Sequence, residues 1–153
     1  MRNKSKTHAL SARRQAKVKD SKLTKTRPDA RLPVGMVKSG RDFALLCADL
    51  IEAKRGFDIT ILNVSKLLQI TDYFIICSGK NKKQNQAIAD NLYNNSKLYQ
   101  YGYKPEFSSI HGYQEGLWIL VDLGRVIVHI FSEPLRKYYD LEFLWASAPR
   151  VKK

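Results

Sequence analysis

Leu117, Ile119, Val121, Val126, Val128 and Ile130 are spaced two apart on either side of Leu123-Gly124. That alternation constrains the fold more than any other feature of the chain, because successive side chains of a strand point to opposite faces and antiparallel partners share a face. With Leu123-Gly124 as a two-residue turn, the pattern predicts a β-hairpin whose aliphatic residues all point to one core face. The same register sets Trp118 across from His129 and Asp122 across from Arg125. The second face then carries Trp118, Leu120, Asp122, Arg125, Ile127, His129 and Phe131, a mixture of aromatic, charged and apolar side chains. Such a face is either covered by a second layer of helices or kept for another protein.

The regular pattern begins upstream, at Phe43. Phe43, Leu46, Cys47, Leu50 and Ile51 form one stripe of an amphipathic helix that Arg55-Gly56 can close. Two short β-branched and aromatic runs follow, Ile59 to Val64 and Tyr73 to Ser78, the second ended by Ser78-Gly79. Ile88, Ala89, Leu92, Tyr93 and Tyr99 predict a second helix from about Lys82 to Tyr101, stopped by Gly102. Tyr103 to Gly116 reads as a long segment with one short strand. After the hairpin, Ser132 offers an N-cap hydroxyl, Glu133 an acid at the positive end of the dipole, and Pro134 a residue without an N–H to satisfy. One last helix is expected to carry Leu135, Tyr138, Leu141, Leu144 and Trp145, with Pro149 beyond its end. The order of elements predicts an α/β domain with a mixed β-sheet and flanking helices.

Charge divides the chain. Residues 1–41 carry a net +11 and residues 42–153 a net +2, out of a total of +13. The first 40 residues also lack any apolar period, so burial there cannot offset ordering entropy, and a basic, disordered tail is expected ahead of a domain at 41–148, with 149–153 a basic C-terminal end. A tail of this kind can touch RNA phosphate by charge alone, releasing counterions, or serve as a solubilising extension. No apolar run follows the basic start, so a secretory signal is not expected, and an amphipathic helix of the transit-peptide kind is not evident. No stretch approaches the roughly 20 apolar residues of a spanning helix, and no membrane partner is expected. Cys47 and Cys77 lie in apolar stretches without C-x-x-C spacing, which reads as buried reduced thiols of a cytosolic-type compartment, with no metal or cofactor.

The run WILVDLGRVIVHIF (Trp118 to Phe131), followed by LRKYYDLEFLW (Leu135 to Trp145), resembles the closing half of the ribosomal silencing factor family, also called Iojap-like. GFDITILNV at Gly56 to Val64, ITDYFIICSG at Ile70 to Gly79 and AIAD at Ala87 to Asp90 fall in the family's order and spacing, so the resemblance covers about Asp42 to Trp145. It implies a nucleotidyltransferase-like topology without the catalytic carboxylates. It also implies a cytoplasmic or organellar, ribosome-associated translation repressor, bound to the large subunit chiefly through large-subunit ribosomal protein fourteen and blocking the small subunit sterically. His111 stands where the family usually shows an acid, so that acid's salt bridge to a basic partner is not carried over, and an insertion of two residues follows Pro105. Asn63 replaces a common aspartate in what reads as a structural position.

The rival readings are an enzyme and an RNA-binding protein that acts through its tail. Two-metal nucleotidyl transfer needs two carboxylates two residues apart on a strand, so that both reach one site. Asp58, Asp72 and Asp122 each lack such a companion, and the pair Asp140/Glu142 lies in the predicted helix, where the side chains diverge. His8 is in the tail, and neither cysteine is placed for nucleophilic work. Ser78-Gly79 reads as a turn rather than a phosphate cradle. The expected partner surface is therefore the second face of the hairpin and its tip: Trp118 as aromatic anchor, Leu123 as an apolar residue at a turn, Asp122 as an acid facing a basic protein, and Leu120, His129 and Phe131 extending the patch. In free protein a homodimer would cover the same patch.

Overall fold

A computed structural model of the protein describes residues 37–99 and 109–153. The tail before Val37, the helix stop at Gly102 and the insertion after Pro105 lie outside the described residues. The elements, in order, are α1 (Gly40–Ala53), β1 (Phe57–Asn63), β2 (Tyr73–Ser78), α2 (Lys82–Tyr99), β3 (Ser109–His111), β4 (Trp118–Asp122), β5 (Val126–Phe131), α3 (Glu133–Tyr139) and α4 (Leu141–Leu144). One mixed sheet has the order β1-β2-β5-β4-β3, with β2 and β5 parallel and every other pair antiparallel. The α/β architecture with flanking helices is thus the one the element order predicts.

Two of the helices start on side-chain caps, whereas Ser132 stands at the N-cap of α3 without the side-chain hydrogen bond expected of its hydroxyl. Ser39 caps α1 in a reciprocal box: its Oγ accepts from Asp42 N–H at 3.1 Å, while Asp42 Oδ2 accepts from Ser39 N–H at 3.1 Å. The Ser39 hydroxyl, together with the Lys38 amide, holds the Asp42 carboxyl below its ordinary range. Asn81 Oδ1 takes the Gln84 N–H at 2.9 Å to start α2. Asn63 Oδ1 accepts from Ser65 N–H at 3.1 Å and Ser65 Oγ at 2.6 Å, a turn-forming role.

α1 and α2 cover one face of the sheet. There Leu46, Leu50, Ile88 and Leu92 meet Ile75, Cys77, Ile119, Val121, Val128 and Ile130. Both cysteines are buried free thiols, and burial raises the pKa of each. Val37 packs into this layer ahead of α1. Residues 149–153 run along β1: Asn63 N–H donates to Pro149 at 2.8 Å, Val151 N–H to Ile61 at 2.9 Å, and Lys153 Nζ reaches Asp49 at 2.7 Å and Glu52 at 2.6 Å. This segment covers part of an edge strand that would otherwise present unpaired backbone.

The hairpin register differs from the expected one by two residues. Trp118 pairs with Phe131, Leu120 with His129 and Asp122 with Ile127, and the turn is Gly124-Arg125, closed by Leu123 N–H to Val126 at 2.9 Å. The shift preserves which face each residue occupies but moves Leu123 from the tip into the core, where it is 1% exposed. Gly124, with φ 81°, takes the left-handed position that this turn needs and that a leucine would occupy at a steric cost. Leu117, expected in the core, lies one residue before the strand and is exposed. Arg125 does not face Asp122; its Nη1 binds Asp72 Oδ2 at 2.8 Å.

The last helix is two helices. Asp140 takes φ 44°, ψ 58°, which ends α3 and starts α4. A non-glycine residue there costs about 1–2 kcal/mol, least for Asp or Asn. The bend lets Leu135, Leu141 and Trp145 all reach the second sheet face against Leu62, Val64, Phe74, Ile76, Ile127 and Phe131. Tyr138 and Leu144, expected on the same helix as Leu135, Leu141 and Trp145, are exposed.

Candidate functional site

The second face of the hairpin is neither fully covered nor fully free. The α3–α4 elbow seals its centre: Phe131 is 0% and His129 7% exposed, so neither offers the contact surface expected of it, and Leu123 belongs to the opposite core layer. Trp118, Leu120 and Asp122 stay half-buried along β4, all on this face. Asp122 also has local work, since its Oδ1 accepts the Gly124 N–H at 2.9 Å within the turn.

Trp118 stands at the centre of an aromatic cluster. Its ring lies 4.9 Å from Phe131 and 4.6 Å from Tyr139, and Tyr139 in turn meets Tyr138 edge-on at 5.1 Å. Trp118 Nε1 donates to His129 Nδ1 at 3.2 Å. An indole nitrogen can only donate, so the imidazole is neutral and carries its proton on Nε2. That Nε2 is buried without a hydrogen-bond partner among the described residues. Burial pushes the His129 pKa down to about 4, so the neutral form persists at any physiological pH. Phe74 packs edge-on against His129 at 5.2 Å and against Trp145 at 5.4 Å, locking strand, histidine and elbow together.

Sequence reasoning missed the most exposed part of the surface. Tyr138 (79%), Phe143 (80%) and Leu144 (68%) project from the elbow, beside the half-exposed Tyr139. The signal was present in YYDLEFLW, where apolar residues surround Asp140 on every side of a would-be helix, more than one sheet face can bury. Arg136 fixes the elbow. Its Nη1 donates to Ser78 Oγ at 2.9 Å at the end of β2, and its Nε and Nη2 donate to Glu142 Oε1 at 3.2 and 2.5 Å. With side chains 14% and 21% exposed, Arg136 and Glu142 form a largely desolvated pair that ties α3, α4 and β2 into one unit.

The acids of the elbow have structural commitments. Glu142 is committed to Arg136, and Asp140 is the backbone hinge of the elbow rather than half of a carboxylate pair on one strand. Among the described residues no three of His, Cys, Asp and Glu gather as a metal site. His111 is exposed at the end of β3 and shares a hydrogen bond with Ser109 Oγ at 2.9 Å. What the site offers is an apolar, aromatic surface on a rigid support.

Comparison with known proteins agrees over the same span. The family model described as "Ribosomal silencing factor during starvation" matches residues 38–153. The ribosomal silencing factor of Halalkalibacterium halodurans is 36% identical over 114 residues, covering 74% of this chain and 94% of that protein. A mouse protein named for mitochondrial assembly of the ribosomal large subunit is 29% identical over 79% of this chain and 54% of its own length. A crystal structure of a Chromobacterium violaceum protein superposes with a TM-score of 0.64 at 30% identity, over 71% of this chain and 87% of that one. From the elbow and hairpin that carry its aromatic surface to the capped first helix, the chain belongs to the ribosomal silencing factor family.

Proposed function

We propose that this protein represses translation by occupying the large ribosomal subunit, chiefly on large-subunit ribosomal protein fourteen, so that the small subunit cannot join. The observation that carries this reading is the exposed elbow, Tyr138, Phe143 and Leu144, in which Tyr138 is linked through Tyr139 to the half-buried Trp118. Single exposed apolar residues are ordinary, but aromatic anchors clustered on a rigid support are the usual composition of a binding hot spot. Burying each anchor is worth about 1.5–3 kcal/mol, so three supply on the order of 5 kcal/mol before electrostatics. Occupancy then does the work, and no bond need be made or broken. The large-subunit assignment draws support from family membership and from the name of the mouse relative.

Leu120 and Asp122 extend the surface along β4, and the basic tail adds RNA contact by charge. The same apolar surface is what a symmetric pair of free molecules would bury.

The test is sedimentation with purified subunits. Wild-type protein is expected to pellet with large subunits alone and to slow their association with small subunits. The double variant Tyr138→Ser, Phe143→Ser is expected to fold normally and to lose both effects, because both side chains are mostly in water already. Undiminished binding by that variant overturns the assigned surface, and normal subunit joining in the presence of bound wild type overturns the steric mechanism.

A further inference from the structure

Residues 42–153 are close to charge balance, yet five cations collect at one corner: Lys54, Arg55, Lys80, Lys82 and Lys83, all exposed. Gln84 builds that corner. Its Nε2 donates to the carbonyls of Lys54 at 3.1 Å and Arg55 at 3.0 Å, and its Oε1 accepts the Lys80 N–H at 2.6 Å. The turn after α1 is thereby stitched to the turn before α2, whose first residues are Lys82 and Lys83. Four acids flank the corner, one of them the exposed Glu115, next to the Gly116 on which Lys82 packs. Glu52 is paired with Lys153, Asp58 lines the neighbouring hollow with both, and Glu133 faces Lys80 across a cleft of about 460 Å³.

Two features of the corner work against the fold's own stability. The first turn of α2 holds no acid and two lysines at the positive end of the helix dipole, where cations are disfavoured. Arg55 holds φ 61° just past α1, a left-handed position where glycine is the unstrained choice. Selection for stability alone would place an acid at the first and a glycine at the second.

We propose that this corner is a contact surface for the phosphate backbone of structured RNA. It rests on the ribosome-docking reading above, to which it adds a second, electrostatic contact made by the folded body rather than by the tail. The cations are exposed and spread over two adjoining turns, which suits phosphates along a backbone better than a protein pocket. The corner is also fixed relative to the aromatic surface. Asn85 Nδ2 donates to the Gly116 carbonyl at 2.7 Å, and a Cβ on Gly116 would stand 2.5 Å from Lys82 Cγ, so the lysine stem lies on the residue just before Leu117 and Trp118. One docking event could therefore seat the aromatic anchors on protein and the cations on adjoining RNA.

The test compares full-length wild type with the variant Arg55→Gly, Lys80→Gln, Lys82→Gln, Lys83→Gln, in which glutamine keeps the aliphatic stems. Affinity for purified large subunits, and for protein-free large-subunit RNA, is measured across about 50–200 mM salt. The slope of log affinity against log salt is expected to fall by about one for each phosphate that is no longer neutralised, to a maximum of about four, on both targets. The tail is present in both proteins and cancels in the comparison. Arg55→Gly alone is expected to hold or raise Tm while still lowering the slope, which a merely structural arginine would not do. An unchanged slope overturns the proposal, and a slope that falls on intact subunits but not on bare RNA overturns it in favour of an acidic protein partner. The Tyr138→Ser, Phe143→Ser variant, expected to lose affinity at all salt concentrations, reads the docking surface separately.

Discussion

Replacing His129 with glutamine should flatten the dependence of stability on pH. His129 is 7% exposed, and burial moves its pKa from 6.5 in the unfolded chain to about 4 in the folded protein. Between those values the unfolded chain binds the proton and the native state does not, so stability rises with pH there. The contribution is therefore fully present above about pH 6.5 and is lost as pH falls through the folded value near 4. A displacement of this size corresponds to about 3 kcal/mol between pH 7 and pH 4. Glutamine does not titrate, yet its side-chain oxygen can accept the Trp118 Nε1 proton that His129 Nδ1 accepts at 3.2 Å. Urea unfolding followed by tryptophan fluorescence at several pH values, for wild type and His129→Gln, gives the comparison directly. All other titrating groups are common to both proteins and cancel in the difference. The wild-type curve should drop more steeply than the variant's by about 2–3 kcal/mol, whatever the packing loss of the variant at pH 7. Parallel curves would refute the burial argument.

Arg136→Met keeps the stem but removes the charge, leaving Glu142 and Ser78 Oγ without their donor, and should cost about 2–3 kcal/mol in chemical denaturation. A coupling energy near zero in a double-mutant cycle with Glu142→Gln would show that the elbow is held by something else. Gly112→Ala should cost at least about 2 kcal/mol, because φ is +75° and the added Cβ would stand 2.2 Å from the Trp118 carbonyl oxygen; an unchanged Tm would refute the close approach of that turn to β4.

The elbow explains how one sequence segment serves both core and surface. Leu135, Leu141 and Trp145 complete the second hydrophobic layer, while Tyr138, Phe143 and Leu144 from the same short stretch face water. A straight helix would turn its apolar residues in one continuous stripe. The left-handed Asp140 breaks that stripe, and the desolvated Arg136–Glu142 pair holds the break in a single geometry.

Local sequence determined much of the frame. Alternation identified β4 and β5 and the face each residue occupies, the Phe43 to Ile51 stripe identified α1, and Tyr73 to Ser78 was bounded correctly, because periodicity and breakers act over a few residues. The ordered runs from Gly56 to Trp145 also pointed to the family. Tertiary structure alone decided three things. It chose the Gly124-Arg125 turn, since Leu123 gains burial opposite Val126 and only glycine fits the left-handed position without strain. It broke the last helix at Asp140, because a sheet face of limited width accepts some of those apolar residues and not the rest. It divided the candidate surface, sinking His129 and Phe131 beneath the elbow and leaving Tyr138 and Phe143 outside, a choice that depends on contacts between segments distant in sequence and so has no local signature.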